Sequence, residues 1–277
     1  MFGVIIIFFS TLFDELAISI AKTKLNQKQI SIYSVGVIGS LTATLFFIAI
    51  NLIKWEFNFS LASLPTFGAR VLIEIILTYV ALKAVALADR STFGFIRVVT
   101  MPLLLIVDFL SGYKISGRQF IGIGLIIFSL LIIFFCQGLK KSGAWLSLLT
   151  AVLAVATIAL YKYDITHYNS VAAEQTVIYL ILLAFLIGMA FFKAKENPFV
   201  FLKQKIYFFQ TLISAIPSFL NSYAYVFAPA SIILSAYRSS AVFWSVVSGQ
   251  VYFKEENLLI KVLCLVLLVR GIILLAI

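Results

Sequence analysis

Histidine and cysteine are nearly missing from this chain of 277 residues: His167 is the single histidine, and Cys136 and Cys264 are the only cysteines. One histidine excludes a multi-histidine metal centre. The two cysteines lie singly in apolar runs without CxxC spacing, so they read as small core residues rather than a disulfide or a metal site. No metal and no cofactor is expected. Charged residues are scarce as well, at 12% of the chain, too few to solubilise a domain of this length. A phosphate-binding loop is absent, which leaves an ion or solute gradient as the energy source for any transport. Lysine and arginine outnumber aspartate and glutamate 21 to 11, yet no basic run is interleaved with exposed aromatics, so nucleic acid is not an expected partner. The first apolar run has neither a basic leader nor a small-residue cleavage site and reads as a retained membrane helix, not a signal peptide.

What the chain has in quantity is apolar surface: 63% hydrophobic residues, 27 phenylalanines and a mean hydropathy of +1.12. The lipid bilayer is its expected solvent. A helix needs about 20 residues to cross the hydrocarbon layer, and apolar runs between polar breaks give ten candidates. These are 2–21, 31–53, 67–88, 91–111 and 117–138, then 143–163, 172–192, 206–227, 230–252 and 258–276. The expected fold is therefore an all-α integral membrane protein of ten transmembrane helices, divided into units 1–140 and 141–277. Because five is odd, the second unit enters the membrane from the opposite side, and the two are inverted repeats. Eleven basic residues fall in loops after odd-numbered spans, among them Lys22, Lys193 and Lys203, against five near even-numbered ones. Positive charge favours the cytoplasm, so both termini are expected outside a multi-pass protein of the cytoplasmic (inner) membrane.

The repeat has its own trace. The stretch YVALKAVALADRSTFGFIRVVTMPLLLIVDFLSGYK laid over LNSYAYVFAPASIILSAYRSSAVFWSVVSGQVYFKE brings Arg97 onto Arg238, 141 positions later. Near the start of each half, Lys22 falls on Lys162 at almost the same offset. Buried charge at matching places of a duplicated hydrophobic unit points to a transport path between the halves.

Late in each half lie further cues. TMPLLLIVDFLSGYKISGRQFIGIGLIIF carries Pro102, Gly112, Gln119 and Gly122, and the second-half counterpart carries Glu255 and Glu256 after its small-residue helix. In this arrangement the chain resembles the drug/metabolite transporter superfamily, in particular its EamA-type members. That resemblance implies ten short-looped helices in two inverted units and transport of a small metabolite. The chain departs from the common pattern at Tyr113 and Lys114, which replace an acidic residue, at Phe243, which replaces a proline, and at Arg97 and Arg238, where small or apolar residues are usual.

An arginine in the middle of a membrane needs a wet cavity or a partner. Arg97 and Arg238 are thus either locked to helix carboxylates or face one cavity and bind an anionic group. Arg90, Arg97 and Asp108 share a stripe, and so do Ser231, Arg238, Ser245 and Gly249. An asymmetric site follows, with Arg97 partly neutralised by Asp108 and Arg238 the freer cation and the better candidate for touching substrate. Asp14 and Glu15 are adjacent in the first span and point about 100° apart; one is expected to meet an arginine and the other to exchange a proton or to join a static ion pair. Ser214, Ser218, Asn221 and Tyr225 form a polar stripe around Pro217, and Tyr161 continues it from the sixth span. Arg70 and Glu74 are spaced for a local pair. Tyr223, Tyr237 and Trp244 form either an aromatic wall or ordinary packing. Gly36, Gly39, Gly122 and Gly124 are expected at close helix contacts, and Arg270 has no evident partner.

Arg238, Arg97, Asn221, Tyr225 and Tyr161 are accordingly the candidate solute-binding residues, with Asp14, Glu15 and Asp108 for coupling or ion pairing. The expected function is secondary active transport of a small organic solute, an amino acid or related metabolite, by alternating access and with possible proton coupling. The partners are that solute and the bilayer, the protein acting as monomer or homodimer. It is not expected to be an enzyme. The alternative is a membrane-embedded enzyme on lipid or polyprenyl substrates, or a flippase subunit, although no Asp-rich metal motif or His/Asp pair appears.

Overall fold

In the computed structural model, residues 2–54, 57–110, 117–137, 141–227, 230–254 and 258–276 are described. Gly112, Tyr113, Lys114, Glu255 and Glu256 lie outside them, as do the side chains of Asp108, Gln119, Cys136, Tyr225 and Ser231. The chain is 89% helix and has no strand among the described residues. The helices are α1 (Phe2–Asn26), α2 (Ile32–Lys54), α3 (Leu64–Leu87), α4 (Arg90–Arg97), α5 (Thr100–Leu110), α6 (Gly117–Gln137), α7 (Lys141–His167), α8 (Val171–Met189), α9 (Pro198–Phe201), α10 (Lys205–Phe227), α11 (Ala230–Val251) and α12 (Leu258–Ala276).

Local chemistry sets several ends. Ser170 caps α8 by accepting from the Ala173 amide, and Asn197 caps α9 by accepting from Phe199, each satisfying an amide that the first helical turn leaves open. α8 runs on as a π-helical stretch, Ala190–Ala194, and stops at Lys195 in the left-handed conformation. Three segments, Ile32–Ile53, Gly143–His167 and Val171–Ala194, are long and apolar enough to cross a membrane. The outer surface agrees with a lipid solvent: Phe192, Leu259 and Phe135 are 87%, 83% and 76% exposed, in a density of large apolar groups that water would not tolerate.

The expected fourth span, 91–111, is interrupted. α4 ends at Arg97 and α5 begins at Thr100. Pro102 supplies the reason, since it has no amide for the Val98 carbonyl four residues back and its ring crowds that carbonyl. The chain tightens there into i→i−3 bonds, Val98 to Phe95 at 3.0 Å, Val99 to Ile96 at 3.1 Å and Met101 to Val98 at 2.8 Å. Around the break, Phe95, Val98 and Met101 pack with Ile126 of α6, Val242 and Val246 of α11, and Cys264 and Leu268 of α12.

The main helix pairings join the two halves of the chain: α3 with α7, α6 with α12, α2 with α8, α1 with α10 and α11, and α4 with α11 and α7. Loops gather at two ends. At one, Glu196 accepts from the Ser31 amide (3.1 Å) and the Ser34 hydroxyl (2.7 Å). At the other, Asn169 accepts from the Ser60 amide at 2.8 Å, and the Ser170 amide donates to Asn58.

The glycine expectation is only partly met. Gly36 lies against Leu186 and Leu82, but Gly39 and Gly124 have open space where a side chain would go. Gly122 is met closely through its carbonyl by Gly271, and the tightest approaches are at Gly94 against Ser245 and Gly143 against Ala88.

Candidate functional site

α1, α4 and α11 meet around one pocket. Its walls are Thr11, Asp14, Glu15 and Ile18 from α1, Arg90, Phe93, Gly94 and Arg97 from α4, and Tyr237, Arg238, Ala241 and Ser245 from α11. The cavity itself is about 20 Å³, within about 360 Å³ of unfilled space between the walls. That is room for a water molecule or two, not for an organic solute. Spacing explains the α4 wall: positions 90, 93, 94 and 97 fall on one face of a helix. A side chain at Gly94 would collide with Ser245, so glycine there lets α4 and α11 close on each other.

The charged groups have sharply different surroundings. Glu15, 6% exposed, accepts from Arg90 Nε at 3.0 Å and Nη2 at 2.7 Å, and Arg90 is 2% exposed. Ser19 and Ser248 also donate to Glu15. This forked, buried ion pair ties α1 to α4 and α11, and its charges cancel. One layer further along, Lys22 is buried, donates to the Ala88 carbonyl and lies over the Phe253 ring. Its repeat counterpart Lys162 is exposed, so the two matched lysines have different environments.

Asp14 and Arg97 are held differently. Asp14 Oδ2 accepts from the Tyr237 hydroxyl at 2.8 Å. The Arg97 guanidinium lies 5.2 Å from the Phe93 ring centre, and its Nε is enclosed without a hydrogen-bond partner. The two residues are close enough to influence each other electrostatically, but neither forms an ion pair with a described residue. Arg238, 2% exposed, donates from Nε to the Thr100 hydroxyl at 2.9 Å, and Thr100 in turn donates to the Arg97 carbonyl at 2.8 Å. Arg238 therefore braces the α4–α5 break. Both arginines line the pocket, and the expected neutralisation of Arg97 by Asp108 falls outside the described side chains; Arg97 is half-buried with no hydrogen bond at Nε, while Arg238 is engaged through Thr100. The reason is Pro102, which turns the chain so that Thr100 comes under Arg238.

Other expected site residues lie elsewhere. Asn221 accepts from Ser10 at 2.8 Å on the α1–α10 seam. Tyr161 is buried, donates to the Ser222 carbonyl at 3.3 Å and lies under Arg70 at 4.5 Å. Neither lines the pocket. The side chains of Tyr225 and Asp108 fall outside the described residues. Ser214 and Ser218 donate to carbonyls of their own helix at 3.0 Å, which removes them from an open polar stripe. Arg70 bonds Glu174 of α8 at 2.6 Å instead of its neighbour Glu74. The cause is the loop before α8, where Asn169 donates to Glu174 at 2.7 Å and to Ser63 at 3.0 Å, holding that carboxylate against α3. Trp244 donates to the Phe8 carbonyl at 3.2 Å, and Arg270 is exposed.

Ser248 and Gly94 were not singled out by sequence, whereas Thr100 is read there as bordering the Arg97 stripe. Gly94 and Thr100, three residues before and after Arg97, carried a usable signal, since they continue its face. Ser248 carried none, because its partner lies 233 positions away. No known protein-family model matches the chain, and no curated protein does.

Proposed function

We propose that the protein is a multi-pass secondary transporter of the cytoplasmic (inner) membrane. It carries a small zwitterionic organic solute, an amino acid or related metabolite, by alternating access between two inverted five-helix units, 1–140 and 141–277. One observation carries the reading: an acid, Asp14, and a guanidinium, Arg97, share one pocket at a helix break without pairing with each other. An α-ammonium at Asp14 and an α-carboxylate at Arg97 complete both. Discontinuous helices are a recurrent setting for transport sites, because their ends leave backbone groups for a ligand.

The packing supports the inverted arrangement. Counting α4–α5 as one span and leaving out the short α9 gives ten spans. Exchanging the halves then turns the α3–α7 pairing into α1–α10, and the α1–α11 pairing into α4–α7. The pairings α2–α8, α6–α12 and α4–α11 map onto themselves, whereas the extensive α2–α10 pairing has only a slight counterpart in α3–α8. In the present conformation the pocket admits water but not the solute, so α4 or α11 moves on loading.

The test is a thermal-shift screen of the purified protein against metabolites, followed by liposome uptake of each stabilising compound. Arg97→Lys keeps the charge but loses the planar fork, and is expected to weaken binding of the best zwitterion at least tenfold. Decarboxylated and deaminated analogues are expected to lose binding likewise. Unchanged affinity in Arg97→Lys removes the site assignment, and the absence of saturable uptake for every stabilising compound removes the transport reading.

A further inference from the structure

Along the seam between α3 and α7 runs a second set of polar groups that the solute pocket does not use, some buried and some, Thr66 and Glu74, half-buried. Thr66 donates to Asp164 Oδ1 at 2.5 Å; one turn deeper Arg70 lies over Tyr161; one turn deeper again Glu74 hydrogen-bonds with Thr157. Asp164 and Glu174 are both 0% exposed, and Arg70 is 3% exposed. Three carboxyls, those of Asp164, Glu174 and Glu74, thus share a single guanidinium. Arg70 is committed to Glu174 at 2.6 Å, with Gln175 at 3.5 Å on its other nitrogen. Asp164 Oδ2 and Glu74 Oε2 are enclosed and accept no hydrogen bond.

A buried carboxylate without a cation is neutralised rather than left charged, because the desolvation cost of the bare ion is several kcal/mol. Among the described residues no three His, Cys, Asp or Glu side chains gather closely enough to hold a metal ion. That leaves a proton as the neutralising cation. Of the two carboxyls without a cation, Asp164 sits at the loop end of α7 and accepts from the Thr66 hydroxyl at 2.5 Å. Glu74 lies deep in α3, one turn beyond the committed arginine.

We propose that Glu74 carries an exchangeable proton and is the coupling group of the transporter, in place of Asp14 and Glu15. This use of the proton rests on the transport reading; the proton itself does not. Only the O–H bond is made and broken in the exchange. The charged and titratable groups within reach of Glu74 are Arg70 on its own helix and Tyr179 on α8; Tyr161 and Glu174 meet Arg70, and Asp164 lies within reach of Glu174. Tyr179 connects the two sites: it lies within electrostatic reach of both Glu74 and Asp14 and is hydrogen-bonded to Ser218. Tyr179 is thus the group through which release of the proton at Glu74 is proposed to reach the solute pocket.

Infrared difference spectroscopy of the purified protein tests the proton without any solute. A deuterium-sensitive carbonyl stretch of a protonated carboxyl is expected in the native chain, lost in Glu74→Gln, displaced but present in Glu74→Asp, and retained in Asp14→Asn. A native spectrum without that band, or a band unchanged in Glu74→Gln, overturns the proposal. In liposomes Glu74→Gln is expected to keep solute counterflow within about twofold of native while losing at least tenfold in uptake driven by a pH gradient. Native-like pH-driven uptake in Glu74→Gln also overturns the coupling role. Failure of counterflow in the native protein instead removes the transport reading and leaves the spectroscopic result standing.

Discussion

Arg90 and Arg97 stand seven residues apart on one face of α4, and their partners give them opposite tasks. Arg90 is forked onto Glu15 with two serines completing the carboxylate, an arrangement that binds helices together. Arg97 keeps its Nε without a hydrogen bond beside an acid that it does not pair with. Removing one member of a buried pair leaves the other charged and unpartnered, at a cost of about 3–5 kcal/mol. Glu15→Gln is therefore expected to destabilise the protein by that amount in denaturant titrations in detergent. Asp14→Asn, which removes charge from a half-buried residue and keeps an acceptor for Tyr237, is expected to cost about 1 kcal/mol or less while weakening solute binding at least tenfold. If the two variants lose equal stability, the division between a structural and a functional carboxylate is wrong. Adjacent acids in one apolar run were visible in the sequence, as was the expectation that one meets an arginine. Which acid and which arginine was not visible, because the contact spans 75 positions and depends on how α1 and α4 cross.

At the scale of elements, the decisive feature is the interruption between α4 and α5. Apolar periodicity reads straight through it, and only Pro102 marked the place. Proline in a helix interior costs about 3 kcal/mol, and here that strain accompanies a break stitched by Thr100 to Arg238 and to the Arg97 carbonyl. Pro102→Ala restores an amide for the Val98 carbonyl and lets α4 run into α5. The expected outcome is an unfolding temperature equal to or above native, combined with at least a tenfold loss of solute affinity as Thr100 rotates away from Arg238. A variant with native affinity shows that the break does not build the site. Gly94 gives a companion test, since Gly94→Val places two methyl groups against Ser245, where even one carbon does not fit. It is expected to separate α4 from α11 and lower stability by about 1–3 kcal/mol. Helix existence and most ends were legible from apolar runs and polar breaks. The π-helical end of α8 and the short α9 were not, since they follow from how the chain turns at Lys195 and Asn197, not from hydropathy.

For the whole molecule, the matched cations first suggested two equivalent halves around a central site, and the side chains break that equivalence. Arg97 faces the pocket where Arg238 braces the break, and Lys22 is buried where Lys162 is exposed. The proposed repeat is therefore to be sought in the helix pairings, some of which correspond between the halves, and not in the charges, which are set by individual partners. The loops add a statement about sidedness. Ser31 and Ser34 beside the α1–α2 loop share Glu196 with the loop after α8, and Lys193 lies over Tyr33 and Tyr79 there. The α2–α3 and α7–α8 loops meet at Asn169. The first group is rich in lysine, with Lys24, Lys28, Lys195, Lys203 and Lys205 close by in sequence, while the second group has few basic residues. On the proposed membrane reading, the excess of lysine is expected to place the lysine-rich end on the cytoplasmic side, and α1 is then expected to begin on the opposite face. An alkaline phosphatase fused after residue 277 is expected to be active and a fluorescent protein at the same position to stay dark. The opposite pair of results reverses the proposed orientation, and with it the side on which Lys22 meets Ala88 and Phe253.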